Sequence, residues 1–166
     1  GPLVNEFESK LSKYLNCKYS ITCNSGTSAI FLAMRSIDIK KNDVVVMPSI
    51  NFIASYNIAK SFGAKIYLAD VDKHTGQMTP KNLEECFKKF KLNKIKAIIV
   101  MYNGGYPDNV ENFVKLKRKY DFFLIEDACH ALGAEYAIDK KIYKVGSCKH
   151  SDLSTFSLHP LKTITT

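Results

Sequence analysis

Apolar positions along this chain recur in two rhythms that alternate. Val4, Phe7, Leu11 and Leu15 fall at helical spacing and predict an amphipathic helix over 4–15. A short β-rich run at 19–23 follows, and 29–34 reads as a helix beyond the polar turn Asn24-Ser25-Gly26-Thr27-Ser28. Residues 44–47 are apolar throughout, as in a strand buried on both faces. A helix over 53–61, closed by Gly63, leads to a strand at 65–71. Thr79 and Pro80 cap a helix whose Leu83, Phe87 and Phe90 stand at i, i+4 and i+7. A fourth strand spans 95–101, Asp108 opens a helix carrying Val110, Phe113, Val114 and Leu116, and a fifth strand at 122–125 ends in Glu126-Asp127. Beyond Gly133 the style changes: 136–145 alternates around Asp139-Lys140-Lys141 like a hairpin, and 153–157 is a last strand leading to Lys162.

Apolar strands alternating with helices predict a three-layer α/β/α domain with a mostly parallel central sheet. Ligands in such sheets bind beyond the carboxyl ends of the strands. The 24–28 turn, Phe52 and Asp127 all follow such ends, so distant segments converge on one edge. The 166 residues make one domain, without repeats or long linkers.

Charge adds one question. The formal net charge of +8 comes largely from lysine groups at 88–96, 115–119 and 140–149. On helix faces and helix ends lysine solubilises and complements the dipole, which reads as a solvated surface. The other reading is an anionic partner, and a nucleotide-bearing small molecule satisfies it as well as DNA does. Arginine interleaved with aromatic residues would mark nucleic acid better, so no nucleic-acid partner is expected. No apolar run reaches the roughly 18 residues of a membrane span, and no membrane partner is expected either. Five cysteines, an odd number without CxxC pairs, point away from zinc and from a disulfide framework, toward reduced thiols and a cytoplasmic location.

A few residues are candidates for chemistry. Asp127 ends an apolar strand and is either a helix N-cap, a hydrogen-bonded structural carboxylate, or a carboxylate held ionised to pair with a cationic ring nitrogen. His130, three residues on, lies beside it or serves the core. Asp127 and His130 lack a third ligand for a metal. Lys162 is one lysine among many unless desolvated, in which case it forms Schiff bases with carbonyls. Gly26 and Thr27, in a strand–turn–helix arrangement, aim backbone N–H groups at an anion; Thr27 and Ser157 add hydroxyls, though each also suits a cap or strand end. Phe52 is a core residue or a ring-stacking surface. Phosphate anchor, aromatic platform, ring-nitrogen carboxylate and lysine are together what pyridoxal 5′-phosphate requires.

In that order along the chain, these segments resemble the DegT/DnrJ/EryC1/StrS sugar aminotransferases, a branch of the fold type I pyridoxal-phosphate enzymes. The opening Gly1-Pro2-Leu3-Val4-Asn5-Glu6-Phe7-Glu8, the 24–29 loop, Pro48-Ser49-Ile50-Asn51-Phe52, Glu126-Asp127-Ala128-Cys129-His130-Ala131-Leu132-Gly133-Ala134 and Ser157-Leu158-His159-Pro160-Leu161-Lys162 each match a family motif. Leu158 stands where the family has phenylalanine, and Met101 and Asn103 interrupt its Val-His-x-x-Gly run. The resemblance implies that Lys162 holds the cofactor and moves the proton, and that Asp127 pairs with the ring nitrogen. It places His130 near the ring oxygen, Gly26, Thr27 and Ser157 on the phosphate, and Phe52 on the ring. Lysine at 162, where the family's dehydratases carry histidine, implies transamination. The implied reaction moves an amino group, from glutamate, to a nucleotide-linked 4-keto-6-deoxysugar for bacterial surface glycans. The runs at 127–134 and 159–166 are most similar to the pseudaminic-acid-pathway branch, which uses a UDP-linked sugar. Another fold type I reaction, a different keto-sugar, or a non-catalytic basic anion-binding module are the alternatives. Family chains are more than twice this long. Residues 1–166 therefore read as the N-terminal part of the large cofactor-binding domain, truncated before the small C-terminal domain. A homodimer is implied at full length, and no turnover is expected from the piece alone.

Overall fold

The computed structural model describes residues 1–165; Thr166, the end of the run that begins at His159, lies outside the described residues. Helix α1 (Pro2–Leu15) starts on a proline and stops where Asn16 turns left-handed. Helix α2 (Gly26–Ser36) begins three residues earlier than its apolar pattern, because Ser25 caps it by accepting the Ser28 N–H at 3.1 Å. Strand β1 (Val44–Pro48), α3 (Ala54–Ser61), β2 (Lys65–Ala69), α4 (Pro80–Phe90), β3 (Ala97–Met101), α5 (Val110–Tyr120) and β4 (Phe123–Asp127) follow in strict alternation. The hairpin β5 (Glu135–Ile138) and β6 (Lys141–Lys144) turns on Asp139 and Lys140, both at positive φ. Two such residues in succession give the turn whose twist matches a two-stranded ribbon. Strand β7 (Leu153–Thr155) ends the series.

Five strands make one parallel sheet in the order β2-β1-β3-β4-β7, with β5 and β6 pairing separately. Side chains alternate across it. Val46, Ile98, Val100 and Leu124 face Leu83 and Phe87 of α4 and Phe113 of α5. Val45, Met47, Ile99 and Ile125 face Ile30 and Met34 of α2 and Ala59 of α3. The predicted three-layer α/β/α arrangement is thus the observed one. Its two cores explain why the central strands read as unbroken apolar runs.

The 19–23 run is not a strand. Its residues are β-formers, yet among the described residues no segment pairs with it; Glu8 of α1 instead accepts the Thr22 N–H at 2.6 Å and the Thr22 hydroxyl at 2.7 Å. Strand propensity without a partner does not make a sheet. The helix predicted from Asp108 starts at Val110 because Asn109 adopts φ 58° and breaks the entry. Predicted strands at 65–71, 95–101 and 153–157 are each shorter, ending or starting where pairing stops.

Helix α4 is fixed at its start by a reciprocal cap: Thr79 Oγ1 accepts the Asn82 N–H at 3.2 Å, and Asn82 Oδ1 accepts the Thr79 N–H at 3.1 Å. Replacing Thr79 with alanine removes one acceptor for an otherwise orphaned donor. We expect T79A to lose about 1 kcal/mol in stability, measured by urea denaturation, with the far-ultraviolet spectrum unchanged.

Candidate active site

Three strands end level with one another at the carboxyl edge. Register pairs Met101 with Asp127 and Asp127 with Thr155. Two backbone bonds continue the row past the strands, Tyr102 N–H to Asp127 O at 3.2 Å and Ala128 N–H to Thr155 O at 2.9 Å. Asp127 is 2% exposed, on the α2 side of the sheet, and its Oδ1 accepts the Cys129 N–H at 3.3 Å. No helix follows it; residues 128–131 form a turn closed by Ala131 N–H to Ala128 O at 2.8 Å. The helix N-cap reading of Asp127 is therefore overturned, and a buried carboxylate with one local donor remains.

After β7 the chain runs extended to Ser157 and then turns. Ser157 Oγ accepts the His159 N–H at 3.4 Å, His159 Nδ1 accepts the Leu161 N–H at 3.3 Å, and the Lys162 N–H closes on His159 O at 2.8 Å. Lys162 is half-buried in this turn. The Thr163 hydroxyl reaches His130 O at 3.5 Å, which ties the lysine turn to the turn after Asp127. Gly105, at φ +84°, sits against that same carbonyl so closely that any β-carbon would collide with it.

From the other side comes the start of α2. A β-carbon on Gly26 would lie 3.3 Å from Ser157 Cβ and 3.4 Å from Cys129 Sγ. The N–H groups of this first turn have no carbonyl behind them. Around them Ser28 Oγ donates to Asn24 Oδ1 at 2.6 Å and lies 3.0 Å from Ser25 Oγ, so the hydroxyls of the loop are ordered.

Gly26 and Asp127 thus meet at Cys129, with Ser157 beside Gly26, and the Lys162 turn is tied alongside through Thr163 and His130. The Cys129 thiol is pushed up from its usual range by burial, then by the charge and hydrogen bond of Asp127, while the Lys162 ammonium opposes the shift. Thr27, next to Gly26, is exposed on the same turn. His130 is half-buried and joins the cluster through its carbonyl. Phe52 stands beyond β1 at the same edge, but 64% exposed and in no aromatic pair among the described residues.

Sequence reasoning gave no role to Cys129 or to Glu126. Glu126 is 1% exposed and points to the face opposite Asp127. Its Oε1 accepts the Tyr102 hydroxyl at 2.9 Å, and its Oε2 accepts the Ser154 hydroxyl and the Gly146 N–H. Burial raises its carboxyl above the ordinary value, with the Ser154, Tyr102 and Gly146 hydrogen bonds working against the shift. One signal was available: two adjacent acids on a strand cannot share a face, so one had to be buried away from the site.

Parallel α/β layers with a cluster of polar groups along the carboxyl edge place a candidate site where such folds bind their ligands. The model of the DegT/DnrJ/EryC1/StrS aminotransferase family matches residues 1–166, and the chain belongs to that family. It is 41% identical over 166 residues to a UDP-4-amino-4,6-dideoxy-N-acetyl-beta-L-altrosamine transaminase of Campylobacter jejuni, covering 100% of this chain and 42% of the relative. With a GDP-perosamine synthase of Escherichia coli O157:H7 it shares 35% identity, covering 100% and 43%. Among solved structures, Helicobacter pylori PseC, an aminotransferase of pseudaminic acid biosynthesis, superimposes with a TM-score of 0.84 at 28% identity over 98% of this chain and 41% of its own. NtdA of Bacillus subtilis, solved with bound cofactor PMP, gives 0.85 at 27% identity over 99% and 35%. The chain spans about 42% of the length of the curated relatives it matches.

Two outcomes test this geometry. In cofactor-free protein Cys129 should alkylate more slowly than exposed Cys23 at mildly alkaline pH, and D127N should speed Cys129 selectively, read by peptide mass spectrometry. For Glu126, a raised folded-state value means that folding favours the neutral acid. Its contribution is full below the ordinary glutamate value and is lost as pH rises through the raised one. E126Q should remove that fall, so its stability relative to the native protein improves from acid to neutral pH in urea titrations.

Proposed function

We propose that these residues are the N-terminal part of the cofactor-binding large domain of a pyridoxal-phosphate-dependent aminotransferase. The reaction moves an amino group, from glutamate, to the keto group of a nucleotide-linked 4-keto-6-deoxysugar. The observation that carries the reading is the meeting of Gly26, Ser157 and Asp127 at Cys129 on one sheet edge, with the Lys162 turn tied alongside through Thr163 and His130.

The residues fit the cofactor. The bare α-carbon at Gly26 leaves a cradle that a side chain would fill, beside the Ser157 hydroxyl and the open N–H groups of α2. That is a phosphate seat with the positive end of a helix dipole behind it. Pyridoxal phosphate, when bound, supplies an electron sink for the carbon from which a proton is removed. Lys162 would hold its aldehyde and carry that proton between donor or sugar carbon and the cofactor. Asp127, buried and already accepting the Cys129 N–H, would keep the ring nitrogen protonated. Phe52 would stack on the ring, which answers its exposure, and Thr27 would share the phosphate. His130 would stand near the ring oxygen.

Identity to the altrosamine transaminase, and the structural match to PseC, support a UDP-linked 4-keto-6-deoxy-N-acetylhexosamine as the substrate; this reading goes with surface-glycan biosynthesis in the cytoplasm by a homodimer. Similarity to GDP-perosamine synthase supports a GDP-linked 4-keto sugar as the second reading.

Full-length protein purified with pyridoxal phosphate should absorb in the visible range, and K162A should be colourless while still folded. D127N should keep the colour and lose at least about 100-fold in kcat. Turnover with UDP-linked but not GDP-linked keto-sugar selects the first substrate; the converse selects the second. A colourless native protein would sink the enzyme reading.

A further inference from the structure

We propose that the amino-terminal edge of the parallel sheet, opposite the candidate site, docks on the headgroups of an anionic lipid bilayer. From the sequence the lysines read as a scattered solvated surface; the topology gathers them. In a parallel sheet covered by helices, every helix ends and every strand begins at one edge. Lys41 precedes β1, Lys65 opens β2, and Lys89, Lys91, Lys94 and Lys96 fill the end of α4 and its connection to β3. All six are exposed except half-buried Lys96, and none is in an ion pair among the described residues.

Backbone bonds lay part of this set in one line. Lys65 N–H reaches Asp43 O at 2.8 Å, Lys96 N–H reaches Val44 O at 2.9 Å, and Phe123 N–H reaches Lys96 O at 3.0 Å. Strands stand about 4.8 Å apart, so the cations form a broad flat field rather than a groove. Three acidic groups at this edge are engaged locally, while Asp121 at the end of α5 is exposed. Asp38 pairs with Lys40 at 2.8 Å, Asp43 accepts the Lys40 N–H at 2.8 Å, and Asp152 holds Lys117 and the Leu124 N–H, each at 2.7 Å. The carboxyl edge, in contrast, carries Asp70, Asp72, Asp108 and Asp127. These six lysines and those aspartates therefore stand at opposite ends of the strands.

Helix dipoles do not account for it. One helix end presents roughly half a charge, whereas four unpaired lysines surround the end of α4. Two aromatic rings are exposed in the same field: Lys89 Nζ lies 5.4 Å from the Phe90 centroid and Lys96 Nζ 5.2 Å from that of Phe123. Apolar bodies under cationic tips suit the boundary between headgroups and acyl chains. A nucleic-acid face would instead favour arginine forks and a groove. Docking here leaves the carboxyl edge open to water.

The test is co-sedimentation of the full chain with phosphatidylcholine vesicles, with and without about one third phosphatidylglycerol. Binding is expected only with the anionic lipid and is released by roughly 1 M salt. K91E/K94E/K96E should bind at least about 100-fold more weakly. K73E, at the other edge, should bind as the native protein does. Should the triple reversal fail to fold, K91Q/K94Q/K96Q carries the same test with a smaller loss. The proposal would be overturned by equal binding to both vesicle types, or by no binding to anionic vesicles at low salt. Undiminished affinity in both triple variants would overturn it too. Displacement by a mixed-sequence DNA duplex that binds more tightly would assign the face to nucleic acid instead.

Discussion

The strict alternation of side chains on β4 is the constraint on which the rest depends. It sends Glu126 to one face and Asp127 to the other, at the level where β3, β4 and β7 all end. Glu126 then fastens three neighbours on its side: Tyr102 beyond β3, Ser154 in β7 and Gly146 in the loop that leads to it. With those ends held, Asp127 faces the opposite layer at a fixed height. Ser157 and Lys162 leave β7 from a fixed starting point. A one-residue slip of β4 would exchange the two acids and put the wrong carboxylate in the site.

The same parallel order sets the division of labour between the two edges. Carboxyl ends collect turns that are short and tightly bonded, such as the one closed by Ala128 and Ala131 and the one closed by His159 and Lys162. Amino ends collect the exits of helices, where cations accumulate. The candidate site and the lysines of the amino edge are thereby separated by the length of a strand.

Much of the fold was legible because each central strand is buried on both faces, leaving runs such as 44–47 and 97–101 without polar interruption. Motif order led to the candidate residues, and Phe52, Asp127, Ser157 and Lys162 do stand beyond strand ends, whereas Gly26 and Thr27 follow a run that forms no strand. What failed depended on partners distant in sequence. The 19–23 run has the composition of a strand, but pairing is decided by the neighbour and not by the run itself. The role of Glu126 rests on Tyr102, Gly146 and Ser154, which no local pattern links to it. Cys129 became visible as a hub only once α2 was seen to start at Gly26 and approach it.

The tether between Glu8 and Thr22 has a consequence of its own. Its hydrogen bonds, first from the Thr22 N–H and then from its hydroxyl, hold the Glu8 carboxyl below its ordinary value. The stabilisation it gives is present above the ordinary glutamate range and fades as pH falls through the lowered value. Residues 19–23 carry the chain from α1 straight into the turn that presents Gly26, and Glu8 is what anchors them in place of a sheet. Acid would therefore loosen the segment that leads from α1 into the Gly26 turn.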